Sequence, residues 1–469
     1  MPKGKKILFL IFFLAFLVRL ISLDQSLWLD EATTARVVHK YNFFEIVTKF
    51  SPNDFHPPLY YLIMKVWTNM FGYSEIALRM PSILFSLLTG YLVYLLGNKI
   101  TNNDSGPHSA EASRGKQAGM TKENVGIWSA AFFLFNPLII YYSHEARMYM
   151  MATMFLIASL YYLLAGYLVA GLKNKILFSL YLSLSFLTFY GSIFLIIPII
   201  LYLIYKKEFR VLFLLLLLFT LTLLLISPLL FQQLNNAKQQ IKLIPNWNLV
   251  LGNADSKNLL LIPIKFSIGR ISFYPKWFYW GISILWTGIV WFLAVKGGLK
   301  NKFLMYLIFG TLGLGIIFSF FTPLLQYFRF LYLIPIISVL IAIGGSTEHL
   351  KGVRWIVVSG FVCWSLIYLL NANFHREDWK SLVRNLPNNT KVYMITSTSD
   401  PLEYYANNIK ILDIRYLEEQ KSLDKVLYVI PYTSEIHGIE YRTNLAAKRF
   451  SLINENSFRG VTLEKWEKD

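Results

Sequence analysis

Apolar runs dominate the chain and leave it few ways to fold. Roughly eleven of them cover residues 7–23, 75–98, 125–142, 147–170, 175–189, 192–205, 210–230, 277–295, 303–321, 327–345 and 354–370. A helix needs about 20 apolar residues to cross a bilayer. The 469 residues are 55% hydrophobic and only 15% charged, against about 45–50% and about 25% in soluble domains. The pattern predicts an α-helical polytopic membrane protein with about eleven transmembrane helices. The runs at 175–189 and 192–205 are short enough to form one kinked element.

The net charge of +18 does not read as a nucleic-acid surface. The basic residues form no stripe with interleaved aromatics but fall in small clusters between apolar runs, as cytoplasmic loop charges do. With the N-terminus in the cytoplasm, the inner segments carry Lys5 and Lys6, then Arg114, Lys116 and Lys122, then Lys173 and Lys175. Lys206, Lys207 and Arg210, then Lys296, Lys300 and Lys302, then Lys351 and Arg354 complete the set. The outer turns at 189–192 and 322–323 have no basic residue, so the C-terminal segment is expected outside. Lys3-Gly4-Lys5-Lys6 before an apolar stretch has the form of a signal peptide. No small-x-small cleavage site follows, and the run is expected to persist as the first helix. Cys363 is the lone cysteine, which excludes an intrachain disulfide framework.

This orientation gathers the chemically notable residues on the outer side. Asp30 and Glu31 follow the first run, His56-Pro57-Pro58 precedes the second, and Tyr142-Ser143-His144-Glu145-Ala146-Arg147 joins the third and fourth. Residues 24–74 mix aromatic and polar side chains and suit short interfacial helices. Residues 101–124 read as a flexible cytoplasmic loop. The outer stretch 231–276 reads as a long loop able to act as a lid. Residues 1–371 form the expected membrane domain and 372–469 a small extracytoplasmic α/β domain. In that domain 391–395, 409–414 and 425–430 read as strands, and 375–386 and 434–448 as helices. There is no Gly-rich phosphate loop and no nucleotide fingerprint.

Ionised groups beside a bilayer are costly and mark function. A positioned carboxylate can take the proton from a hydroxyl as it attacks, so Asp30 and Glu31 are the candidate catalytic pair. If the leaving group is a phosphate, it departs as an anion, and one carboxylate with nearby cations suffices. Arg147 at a helix start, and Arg329 at the start of the tenth run, are candidate phosphate ligands. Lys265, Arg270 and Lys276 stand where a lipid phosphate or any headgroup would meet them. His56, Tyr142 and Glu145 are candidate substrate or supporting residues. Asp30, Glu31, His56, His144 and Glu145 include enough oxygen and imidazole ligands for a divalent metal to be chemically possible. No spacing among them is diagnostic. Each also has a plainer role open to it: a solvated helix end, a proline-fixed turn, a structural ion pair or a snorkelling arginine.

The ordered motifs Leu27-Trp28-Leu29-Asp30-Glu31-Ala32, His56-Pro57-Pro58-Leu59-Tyr60-Tyr61, Ser74-Glu75-Ile76-Ala77-Leu78-Arg79-Met80-Pro81-Ser82 and Tyr142–Tyr149 resemble those of the GT-C class of membrane glycosyltransferases. Within it they resemble the dolichyl-phosphate-mannose–protein mannosyltransferase-like family, relatives of the protein O-mannosyltransferases and the lipid A aminoarabinose transferases. The likeness holds over residues 1–170, is loose through the later helices and is absent from the C-terminal domain. It implies transfer of a sugar from a polyprenyl-phosphate donor outside the plasma membrane; with the residues above, the expected protein is an inverting transferase with a protein, lipid or glycan acceptor, needing no nucleotide and with a divalent metal possible. The likeness puts the catalytic carboxylate at Asp30 with Glu31 beside it, and Arg147 at the carboxylates or the donor phosphate. His144 stands where the family often has Gln. A lipid-saccharide flippase or a non-catalytic assembly protein is the alternative, although the polar residues gather at one face and not at mid-membrane.

Overall fold

The computed structural model describes residues 3–103, 123–168, 171–246, 251–406, 408–417, 419 and 423–469. The described residues of the apolar runs are mainly helical. The helices used below are α1 (Lys3–Leu20), α2 (Leu29–Lys40), α3 (Leu59–Phe71), α4 (Glu75–Asn103), α5 (Glu123–Leu134), α6 (Pro137–Ser143), α7 (Tyr149–Leu168), α8 (Leu172–Thr188), α9 (Ile193–Tyr205) and α10 (Phe209–Leu243). They continue as α11 (Ser256–Ile268), α12 (Lys276–Lys300), α13 (Lys302–Ser319), α14 (Ile334–Gly344) and α15 (Lys351–Leu370). Among the described residues, 6 helices are long and apolar enough to cross a membrane, or 7 if a bent pair is one span. The protein is a multi-pass membrane protein. The loop expected over 101–124 lies mostly outside the described residues, as do Arg114, Lys116 and Lys122.

The sequence pattern and the structure part company at several places, each with a local cause. The run at 125–142 is not one straight helix but α5 and α6, bent by 58°. Asn136 turns extended and its side chain accepts from the Leu138 and Ile139 amides, capping α6. Pro137 then occupies the first helical position, where its missing N–H costs nothing. The runs at 175–189 and 192–205 are two helices, separated at Phe189, which is extended. The long outer loop is largely helix. α10 runs on through Leu243, so at 1.5 Å per residue it is about 50 Å long against a hydrocarbon core of about 30 Å. α11 buries Ile262, Ile264, Phe266 and Ile268, so it is packed core and not a free lid. The run at 327–345 starts as a 3₁₀ turn, Tyr327–Leu333, before α14.

Two glycines mark a close crossing of α12 and α14. A Cβ on Gly297 of α12 would overlap the Leu340 carbonyl of α14, and one on Gly344 would overlap the Leu293 carbonyl. Small residues at a membrane interface let backbones approach in this way. Gly297→Ala is expected to lower the melting temperature of the detergent-solubilised protein, with overpacking costing about 1–3 kcal/mol.

After α15 the chain builds a 5-stranded sheet in the order β2-β1-β3-β5-β4. β1 (Lys391–Met394), β2 (Lys410–Asp413) and β3 (Val426–Val429) are parallel and fall within the expected strands. The expected helices shrink to α16 (Trp379–Arg384) and α18 (Tyr441–Ala447), with α17 (Asp400–Tyr405) between them. β4 (Phe450–Phe458) and β5 (Val461–Lys468) add an antiparallel hairpin that the sequence pattern misses. β4 is largely exposed and lacks clear apolar alternation. β5 hides its pattern by burying Glu464, which accepts from Tyr441 Oη at 2.8 Å and Trp466 Nε1 at 2.8 Å and pairs with Arg442.

Candidate functional site at the end of the helices that faces the sheet domain

The motifs picked out in the sequence contact one another. α2 begins at Leu29, which puts Asp30 and Glu31 in its first turn, where the helix N-terminus favours negative charge. Adjacent helical residues point about 100° apart, and the expected carboxylate pair is divided. Glu31 is fully buried. Arg79 of α4 grips it with two parallel bonds, Nε to Oε1 at 2.8 Å and Nη2 to Oε2 at 2.6 Å. Arg79 also donates to the carbonyls of Leu23, Gln25 and Ser26. The Ala146 amide donates to Glu31 Oε1 at 2.8 Å. Glu31 thus has both oxygens engaged, and it ties the 23–31 segment to the turn after α6. Within the expected carboxylate pair, Glu31 is the one held by protein partners and Asp30 the one partly open to solvent.

Asp30 keeps 35% of its side chain exposed, and its neighbour is Arg147, Nη2 to Oδ2 at 3.3 Å. Of the carboxylates open to Arg147 in the sequence, the structure selects Asp30. Arg147 is itself buried, and its Nε has no hydrogen-bond partner among the described residues. The bend at Asn136 aims this turn inward, and Ser82 fixes it by donating to the Glu145 carbonyl at 2.6 Å.

Glu145 pairs with a residue that no motif announced. Arg376 Nε and Nη2 both reach Glu145 Oε1, at 3.0 Å and 2.6 Å. The Arg376 guanidinium lies 3.6 Å from the centre of the Trp28 ring and 5.6 Å from that of Tyr141. On Tyr141 a second cation, Arg270, donates to the phenol oxygen at 2.7 Å. Burial raises the Glu145 carboxyl and the Glu31 charge adds to this, against the pull of Arg376. The only sequence hint of Arg376 was its position, just past the last helix at the end where the motifs gather.

His56 packs against a carboxylate that the sequence reading passed over. Its Nδ1 is 3.3 Å from Asp54 Oδ1. Burial would raise the Asp54 carboxyl, but the charges of His56 and Arg147 outweigh it and hold the group below its usual range. The backbone here hangs on the extension of α10: Gln233 Nε2 donates to the carbonyls of Ser51 at 2.8 Å and His56 at 3.0 Å. Tyr142 is buried among aromatic rings, 5.3 Å from Tyr149 and 6.4 Å from Phe328. Arg329 lies by Phe328, and its Nη1 is buried without a partner among the described residues. Lys265 and Lys276 are held locally, Lys265 by the Ile271 carbonyl at 3.1 Å and Lys276 by Ser272 at 2.8 Å.

His144 is buried. Burial, then the charges of Arg79 and Arg19, push it down to about 3, so it is neutral at physiological pH. Among the described residues, no group of three or more His, Cys, Asp or Glu is placed to hold a metal ion. Asp30, Glu31, His56, His144 and Glu145 therefore do not come together as one ligand set. The site brings together Asp30, Arg147, Arg270, Arg376 and Glu145, with Arg329 bordering the same aromatic wall.

A family model described as GPI transamidase subunit PIG-U matches residues 51–244, less than half of the chain. No curated protein sequence matches. Among solved structures, ArnT from Cupriavidus metallidurans in the apo state is similar at a TM-score of 0.58 and 12% identity, over 97% of this chain and 97% of that one. The same protein bound to undecaprenyl phosphate is similar at a TM-score of 0.58 and 12% identity, over 99% of this chain and 98% of that one. At that identity the likeness establishes the fold: this chain has the architecture of ArnT, the GT-C fold with its bundle of apolar helices and small C-terminal sheet domain.

Proposed function

We propose that the protein is an inverting glycosyltransferase that moves a sugar from a polyprenyl-phosphate donor to an acceptor at the outer face of the plasma membrane. The observation that carries this reading is the partly exposed Asp30 paired with buried Arg147, in a fold shared with a protein crystallised with undecaprenyl phosphate. Asp30 orients the acceptor hydroxyl and takes its proton as the oxygen attacks the anomeric carbon. The bond from that carbon to the phosphate oxygen breaks on the opposite side, and the lipid phosphate leaves as an anion. No second carboxyl is needed to protonate it, unlike in glycoside hydrolysis. Arg147 and Arg329 hold the donor phosphate. Each has a guanidinium nitrogen without a partner for an oxygen to satisfy. Glu31, His56, Tyr142 and Glu145 act as support. The basic residues between the helices, Lys173, Lys206, Lys300 and Lys351 among them, favour the N-terminus and those loops in the cytoplasm. The reaction as written requires no cofactor.

Arg147→Lys keeps one charge but loses the planar fork. It is expected to reduce transfer about tenfold to a hundredfold, the worth of one charge-assisted hydrogen bond, measured as initial rate at fixed donor. The overall reading is tested by offering purified protein in nanodiscs a panel of radiolabelled polyprenyl-phosphate sugars with a membrane extract as acceptor. Label moving from lipid to extract supports transfer. Donor binding with no transfer for any donor and extract favours a second reading, a lipid-glycan-binding subunit without catalysis. The match to PIG-U motivates that alternative, and the matched stretch begins after Asp30.

A further inference from the structure

Two buried polar atoms on neighbouring segments, Trp28 Nε1 and Glu377 Oε2, are among those with no hydrogen-bond partner within the described residues. Trp379, whose Nε1 is also unpaired, is wholly enclosed in the core of the sheet domain. The first two lie on segments docked on each other beside Asp30. Buried polar groups in folded proteins are nearly always paired, so the two orphans on adjoining segments leave room for a polar partner. The docking is well built. The Trp379 amide donates to Ser26 Oγ at 3.0 Å, Lys380 Nζ to the Asp24 carbonyl at 2.6 Å, and the Arg376 guanidinium covers Trp28.

Glu377 is fixed from the sheet domain. Tyr432 Oη lies 3.4 Å from its Oε1, and Tyr432 itself packs edge-on to Trp379 with ring centres 5.0 Å apart. Gly460, between β4 and β5, lies so close to Glu377 that a Cβ there would press on its side chain. Burial, then the charges of Glu377 and Asp30, raise the Tyr432 phenol well above its ordinary range.

We propose that Glu377 is an acceptor-binding residue whose free Oε2 accepts a hydrogen bond from a saccharide acceptor, beside the hydroxyl that Asp30 deprotonates. An ionised carboxylate only accepts and an indole N–H only donates. Neighbouring sugar hydroxyls do both, so a saccharide can satisfy the two orphans together. On this account the C-terminal domain is one wall of the acceptor site. The assignment rests on the transferase reading above.

The test uses full-length protein in nanodiscs, a radiolabelled polyprenyl-phosphate sugar and a protease-treated membrane saccharide extract, with donor and acceptor titrated separately. Glu377→Gln is expected to raise the half-saturating extract concentration about tenfold or more and to leave the half-saturating donor concentration unchanged. Glu377→Asp, which keeps the charge and shortens the reach, is expected to show the same split and serves if the Gln variant does not fold. Equal acceptor saturation in wild type and variants overturns the assignment. A parallel change for donor and acceptor also overturns it, because that marks a structural role. Label found only in protease-sensitive material with untreated extract overturns the saccharide. Failure of the wild type to use any donor overturns the transferase reading itself, a result distinct from an unchanged saturation curve.

Discussion

Asp30→Asn is expected to abolish sugar transfer while leaving the fold and donor binding nearly intact. Asparagine keeps the shape of the side chain and removes its basicity, and a positioned general base contributes about 10²–10⁴-fold. The asparagine carbonyl can still accept from Arg147, but that guanidinium is buried and loses its counter-charge, so the melting temperature is expected to fall measurably while the protein stays folded. Initial rates with labelled donor, a donor-binding isotherm and a melting curve on the same preparation separate the two effects. A variant that keeps full activity would remove Asp30 from the chemistry.

The neighbouring residue is expected to behave in the opposite way. Glu31 is buried in a two-bond grip from Arg79, which also holds three carbonyls of the segment leading into α2. Arg79→Ala leaves the Glu31 charge buried with one amide donor, Ala146. Breaking one side of such a pair costs about 3–5 kcal/mol. The expected result is a strongly lowered melting temperature and loss of donor binding together with activity. Replacement of both partners by apolar residues of similar volume, Glu31→Leu with Arg79→Met, is expected to restore part of the stability, and a melting curve of the double variant checks it. If Arg79→Ala melted like the wild type, the anchoring role of the pair would be wrong.

These two outcomes also locate where reading the sequence stopped working. Hydropathy and charge were enough to place the apolar runs on helices, because bilayer thickness and the bare polar backbone leave few alternatives. Asp30 and Arg147 were visible as polar residues that have no cheap reason to sit at helix ends, whereas Arg79 and Ser82 were visible only as members of a motif resembling a known family. Which carboxylate is open and which is locked was not visible, since it depends on a 100° rotation around α2 and on a partner 48 residues away. Asp54 was passed over because it stands in a polar loop where an aspartate is unremarkable. Arg376 and Glu377 were invisible for a related reason: they come from the far end of the chain, 346 or more residues from Asp30 in sequence, and carry no local pattern of their own. The hairpin of β4 and β5 escaped because an exposed edge strand does not alternate and because Glu464 interrupts the apolar face of its partner.

The measurement that bears most directly on the central claim is the stoichiometry of the reaction catalysed by purified protein in nanodiscs. Sugar gained by the acceptor and polyprenyl phosphate released would be counted in the same reaction, for the wild type and for Asp30→Asn. The account predicts one lipid phosphate released for each sugar transferred by the wild type, and neither product above background in the variant. Donor that binds and is never consumed by the wild type, with any sugar and any extract, would contradict it.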